Sequence, residues 1–371
     1  MVRGCDEPVH VAPTFAPSTA RDGAAVGREV PARLSSFADV LLALGFRDAH
    51  AVEAAVTRWL QLFEVVQPTA ILCDCAPLGL LAACVAGIPA TQISNGFDVP
   101  PIDFPLFDAT VRGPYLERAN AQKLELLDRT IASVGHALGA SGLRLADFVG
   151  WPNVAIDGIP ETDPYGTRAK GRYIGPFMSS AHTRPPCWPD AEGGMRVFVY
   201  LRGRQTLAVL EALRSTGSAT CCLWPDAPEE ALSRFHGTMV QVTREPQNLP
   251  MVLSQADAVI NYGSSGVLTA TLLAGKPQLM LPTDMEKLMF ARRVEQLGAG
   301  VEWQAHQGRL EQAMDRLLKD PTLVAVAQGI ASRHGARQFE LQRRLFLDEL
   351  IYGSRAETQA HEEGKGSGFD E

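Results

Sequence analysis

The chain predicts an α/β protein built on two doubly wound parallel sheets, and three observations carry that reading. Its 371 residues suit two domains, each large enough to bury a core. Short apolar runs alternate with helical segments, as in a parallel sheet, and the alternation restarts after a Pro-rich stretch. Residues 257–300 then lay down an apolar run, a small-residue loop, a helix, a second strand closing at Pro282 and another helix.

Taken in order, residues 1–29 are rich in Pro, Ala and charge and read as loop. Residues 35–44 have helical spacing, with Ser35 or Ser36 as cap, and residues 50–65 form an amphipathic helix carrying Trp59 and Leu60 on its apolar side. Residues 69–73 are a short buried strand ending at Asp74. Residues 78–86, small and apolar, suit a helix packed closely on a sheet, and Gly87-Ile88-Pro89 closes it. Residues 90–93 are the next strand and 94–105 a loop. Residues 116–140 are a long helix, and 154–156 and 172–174 are strand-like. Residues 175–190 are Pro-rich and mark the domain boundary. The second half restarts with strands at 196–201, 219–223, 239–242, 256–260 and 278–281, and helices at 206–215, 248–254 and from about Val267. The expected division is 1–176, a linker 177–194, a second domain 195–335, a C-terminal helix 336–351 and a mobile polar tail 352–371.

Composition narrows the partners. A formal net charge of −8 gives no reason to expect nucleic acid or an anionic membrane. No apolar run approaches the ~20 residues that cross a bilayer, and the opening MVRGCDEPVH lacks the apolar core of a signal peptide. Seven cysteines without a C-x-x-C favour free, buried thiols in a reducing cytoplasm. No His/Cys/Asp cluster has metal-ligand spacing, so no metal is expected. Ser264-Ser265 does not make a G-x-S-x-G elbow, which argues against a serine hydrolase.

What remains is an anion grip. Gly263, Ser264, Ser265 and Gly266 let the backbone turn tightly, and the helix behind them aims free N–H groups and a positive dipole end at a phosphate. Doubly wound sheets bind ligands beyond the carboxyl ends of their strands, from which the loops at Arg202, Trp224, Arg244, Tyr262 and Pro282 leave. Arg202, ahead of Gly203, suits bidentate pairing with a phosphate. Asn95 and Phe97 lie in the stiff loop before Pro100-Pro101. Phe97, Phe104 and Phe107 suit either an apolar acceptor pocket or plain loop anchoring.

The order of residues in 257–300 resembles the nucleotide-sugar glycosyltransferases of the UDP-glycosyltransferase superfamily. These have the GT-B fold, two Rossmann-like domains with a cleft between them. Their block reads H-G-G-x-G-T-x-x-E-x-L-x-x-G-x-P-x-x-x-x-P-x-x-x-[DE]-Q. Residues 68–101 and 159–176 resemble further family segments. The resemblance implies an acceptor-side first domain and a nucleotide-sugar donor site on the second, formed by Arg202, Gly203, Arg244, Gln247, Tyr262, Gly263, Ser264, Ser265, Gly266, Glu286 and Lys287. It places Asn95 and Phe97 on the acceptor side. Asp74 aligns with the Asp that orients a catalytic His; as a plain helix cap it would do no chemistry.

The departures are specific. Tyr262 replaces a His that hydrogen-bonds the diphosphate, and Ala270 a Glu that binds ribose. Lys287 replaces a Gln on the sugar, while Glu286 keeps the acidic acceptor. Arg244 replaces a base-stacking Trp, and a guanidinium can also stack. The family's opening strand and Gly-His loop, source of the general base, find no counterpart before Leu34, so the first domain is expected to lack its first units. Neither His10 and His50 nor His136, His182, His236, His306 and His334 has a paired carboxylate at a telling spacing. The implied activity is inverting, metal-independent transfer of a sugar from a UDP- or dTDP-type donor to a hydroxyl acceptor, with no other cofactor. The alternative is a non-catalytic relative that keeps the fold. An incomplete sheet would expose an edge, so a homodimer is a further expectation.

Overall fold

The computed structural model describes residues 10–14, 34–108, 113–168, 171–178, 183–189, 194–306 and 308–350. The expected tail at 352–371 lies outside the described residues. Two compact units emerge: residues 1–94 with 98–155 and 347–371, and residues 95–97 with 156–346.

The first unit opens with α1 (Phe37–Leu41) and a π-helical turn, Leu42–Phe46, bent at Gly45, whose φ is 114°. The helix expected over 35–44 is therefore shorter as α-helix. Ser36 holds the cap position, but its hydroxyl donates to Asn120 Oδ1, 2.5 Å away. Then come α2 (Ala49–Val66), β1 (Ile71–Asp74), α3 (Pro77–Ala86), β2 (Ala90–Ser94), α4 (Pro114–Ala137), α5 (Leu145–Gly150) and β3 (Asn153–Ile156). Asp48 caps α2 by accepting from the N–H groups of His50 and Ala51. β1 and β2 pair in parallel, Ile71 with Ala90 through Asp74 with Ile93. The first unit's strands lie in the order β1-β2-β3, and β4 (Arg172–Tyr173) belongs to the second unit. The small residues of α3 give close packing: Leu81, Ala82 and Ala83 are fully buried, and Gly79 lies under the Trp59 ring, 3.3 Å from where a Cβ would stand.

The second unit carries β5 (Arg196–Tyr200), α6 (Gln205–Thr216), β6 (Ala219–Leu223), α7 (Glu229–Phe235), β7 (Val240–Thr243), α8 (Leu249–Gln255), β8 (Ala258–Asn261) and α9 (Ser265–Leu273). It continues through β9 (Gln278–Met280), α10 (Met285–Leu297), β10 (Gly300–Glu302), α11 (Leu310–Lys319), α12 (Pro321–Ala331) and α13 (Ala336–Asp348). The strand order is β10-β9-β8-β5-β6-β7, and each neighbouring pair is parallel. Direction of winding reverses between β5 and β8. Along β5, Val197 and Val199 face one core with Leu213 and Phe235, while Phe198 faces another with Cys221 and Val259. That two-residue alternation, apolar on both sides, is what a sheet covered by helices on both faces requires.

The unit boundary falls between Ala155 and Ile156, ahead of the Pro-rich stretch where the sequence placed it. The reason lies in residues 156–176. Ile159 is fully buried with Leu268, Leu272, Phe290 and Phe339. Thr269 Oγ1 donates to Thr162 Oγ1 at 3.2 Å, Arg293 Nε to the Glu161 carbonyl at 3.1 Å, and Glu161 meets His334 at 2.9 Å. Proline content marked a loop there; these buried contacts decide which core the segment joins.

Candidate functional site

The winding reverses between β5 and β8, and beyond the carboxyl ends of the strands at such a reversal is the usual ligand position in sheets of this kind. The loop from β8 to α9 is built by a buried polar relay. Asn261 ends β8 fully buried. Its Oδ1 accepts from the Gly263 N–H at 2.8 Å, and its Nδ2 donates to Gln278 Oε1 at 2.8 Å. Gln278 Nε2 in turn donates to the Leu268 carbonyl at 3.1 Å. Two side chains, Asn261 and Gln278, thus tie β8, β9 and α9 to the loop.

Gly263 has φ 85°, and a Cβ there would stand 2.9 Å from the Lys287 carbonyl oxygen, so glycine is required twice over. Ser264 is the N-cap of α9 but forms no capping bond with its side chain. Among the described residues the first-turn N–H groups are therefore left open to an anion. Gly266 faces open space.

Tyr262 follows β8 and packs edge-on to Tyr200, the last residue of β5, with ring centroids 5.1 Å apart; the hydroxyls are 3.4 Å apart. Burial, and then the bond to Tyr200, push the Tyr262 phenol up to about 12, so it stays a neutral donor at any working pH. Lys287 Nζ stands 5.8 Å over the Tyr262 ring and is paired with Asp284, the N-cap of α10. Arg202 is exposed and interacts with the Tyr200 hydroxyl. Gly203 N–H donates to Asp226 Oδ2 at 3.2 Å, linking the loops after β5 and β6.

Arg244 leaves β7, two strands from β5, about 10 Å along the sheet edge. Its guanidinium is fixed in plane by the Ala227 carbonyl, at 2.6 and 2.8 Å, and by Glu229 at 2.9 Å. Gln247 has a different task. It is buried, its Oε1 accepts from the Cys187 N–H and its Nε2 donates to the Glu245 carbonyl. Both ends of the amide hold backbone, anchoring residues 184–187. Ala270 is buried against Val259 and Cys221, pointing into the core rather than toward a ribose.

Asn95 and Phe97 count with the second unit. Asn95 Nδ2 donates to Glu286 Oε1 at 2.8 Å and reaches Ser265 Oγ at 3.4 Å. This brings an expected acceptor residue onto the expected donor set. Phe97 packs on the core of Leu268 and Phe290, which makes it a loop anchor rather than a pocket wall. Phe107 is likewise buried. Phe104 is fully buried and lines a cavity of only about 40 Å³ with Phe37, Gln92 and Asp98. That is room for water, not for a sugar acceptor. Asp74 ends β1 exposed, and no described residue hydrogen-bonds its carboxylate; Ala76, not Asp74, is the N-cap of α3. Among the described residues no group of His, Cys, Asp and Glu is arranged to hold a metal.

Two residues of this site escaped sequence reasoning. Tyr200 gave a signal only as an aromatic closing the first strand of the sheet. Asn261 gave one as a polar residue ending an otherwise apolar run.

Residues 230–339 match the family described as Erythromycin biosynthesis protein CIII-like, C-terminal domain. Over 96 residues the chain is 33% identical to Glycosyltransferase GtfC of Amycolatopsis orientalis, a stretch covering 25% of this chain and only 22% of that relative. Among solved structures, the glycotransferase of kitacinnamycin superposes with a TM-score of 0.59 at 19% identity, over 82% of each chain. Spinosyn Rhamnosyltransferase SpnG complexed with thymidine diphosphate gives a TM-score of 0.51 at 21% identity, over 76% of this chain and 74% of that one. The fold is GT-B.

Proposed function

We infer, from the GT-B fold and the EryCIII-like C-terminal domain that residues 230–339 form, that the chain is a glycosyltransferase moving a sugar from a nucleoside-diphosphate donor to a hydroxyl acceptor. The observation that carries this is the loop of residues 262–266, held at the reversal point of the six-stranded parallel sheet. In this reading the acceptor hydroxyl attacks the anomeric carbon from the face opposite the diphosphate, inverting it. The departing diphosphate gathers negative charge, met by the N-terminus of α9, by Arg202 and by Lys287. Arg244 lies along the same edge, where the base would stack. That the structural neighbour SpnG is complexed with thymidine diphosphate supports a donor of this class. No helix among the described residues is long and apolar enough to cross a membrane, and the free thiols suit the cytoplasm.

Titration calorimetry with UDP and thymidine diphosphate tests the reading. Micromolar binding of either is expected, and no heat with both would overturn it. Since protein charges meet the diphosphate, transfer is expected to survive EDTA; complete loss, restored by a divalent cation, would reject the metal-independent form.

A non-catalytic relative is favoured by one observation, the exposed Asp74 without a described partner. Such a protein would bind the diphosphate yet neither transfer nor hydrolyse the donor sugar.

A further inference from the structure

We propose that Tyr200 is the phenol that hydrogen-bonds the donor's diphosphate, and that Tyr262 acts through it. The proposal rests on the nucleoside-diphosphate reading above. Position comes first: Tyr200 ends β5 in register with Asn261 of β8, on the two strands between which the winding reverses. Both rings are half-buried, so each keeps a wet edge.

The proton inventory comes second. A tyrosine hydroxyl has one proton to donate and two lone pairs. The Tyr262 hydroxyl donates to Tyr200 at 3.4 Å, and Ser264 hydrogen-bonds Tyr262. Arg202 also interacts with Tyr200, from the loop beyond β5. Tyr262, itself bonded by Ser264, and Arg202 thus both spend donors on the Tyr200 hydroxyl, which leaves that hydroxyl's own proton to be given to a ligand. Accepting from a guanidinium makes that O–H a stronger donor. Lys287 over the Tyr262 ring adds positive potential without breaking the chain. The arrangement delivers a short, uncharged donor backed by a cation, where a lone phenol at position 262 would have to serve by itself.

The test is a titration of thymidine diphosphate, UDP, thymidine and uridine into the full chain and its variants. Tyr200→Phe keeps the ring and its edge-on packing; it is expected to weaken both diphosphates about tenfold, the loss of one hydrogen bond to a charged group. Its thymidine and uridine affinities should match the parent. Tyr262→Phe should weaken the diphosphates less, about twofold to threefold. The double variant should be no worse than Tyr200→Phe, because Tyr262 has nothing left to act through. Tyr200→His, which restores an N–H donor, should recover part of the loss. Unchanged diphosphate binding by Tyr200→Phe, equal losses for nucleoside and diphosphate, or strictly additive single effects would overturn the proposal and leave the donor reading standing. A parent chain that binds neither diphosphate would overturn both.

Discussion

Gly263 and Gly266 bracket one loop but are under opposite constraints. Gly263 has positive φ and sits against the Lys287 carbonyl, whereas Gly266 faces open space inside a helix. Gly263→Ala is expected to lower stability by about 1–3 kcal/mol and to weaken diphosphate binding. Gly266→Ala should be neutral or stabilising by about 0.5–1 kcal/mol. Urea denaturation of the two variants checks this, and a Gly263→Ala as stable as the parent would refute it. The contrast shows what the sequence could and could not convey. Four small residues after an apolar run disclosed the loop, because only they permit such a turn. Which glycine is indispensable depends on Lys287, 24 positions downstream. Tyr200 is a similar case: its role depends on a partner from another strand, and no local pattern reports that.

Within the first unit, α1 is fastened to α4 by one carboxylate. Asp39 accepts from the Ser35 and Ser36 N–H groups and pairs with Lys123 at 2.7 Å, its side chain 7% exposed. Burial opposes its charge, but Lys123 and Ser35 outweigh that and hold the carboxyl below its ordinary range. Glu161 in the second unit is also held low: burial opposes its charge, but a backbone hydrogen bond, His334 and Arg333 prevail. A carboxyl lowered in the folded state stabilises fully above its unfolded value, about 4, and loses that contribution as pH falls through the folded value. Asp39→Asn should therefore cost about 2–3 kcal/mol at pH 7, and its gap from the parent should narrow below about pH 4. Urea midpoints of both proteins at pH 7, 4 and 3 test this, and a constant gap would refute it. The sequence offered Ser35 or Ser36 as the cap, and Ser36 holds that position. It could not show that Asp39 takes up the N–H groups while Ser36 turns to Asn120.

The alternation of strands and helices disclosed both sheets, because burial on two faces demands short, continuously apolar strands that stand out from polar loops. It did not disclose the unit boundary, since residues 156–176 look like linker until their partners are known. One consequence concerns association. Among the described residues β1 is the outermost strand of its sheet, and Leu72 on it is 53% exposed. An exposed apolar edge is a template for pairing, so light scattering is expected to show a dimer or larger species. Leu72→Lys should shift it toward monomer; a parent that is monomeric at all concentrations would refute this.

The bond from the Gly263 N–H to Asn261 Oδ1 has a kinetic signature of its own. Loop amides normally trade their protons for deuterium within seconds, because they open freely to water. This one is buried and tied through Asn261 and Gln278 to two strands and a helix. It can open only when that relay comes apart. In deuterated buffer, peptides spanning residues 258–266 should retain this proton as long as the β8 strand itself does, even with no ligand bound. Asn261→Ala should release it.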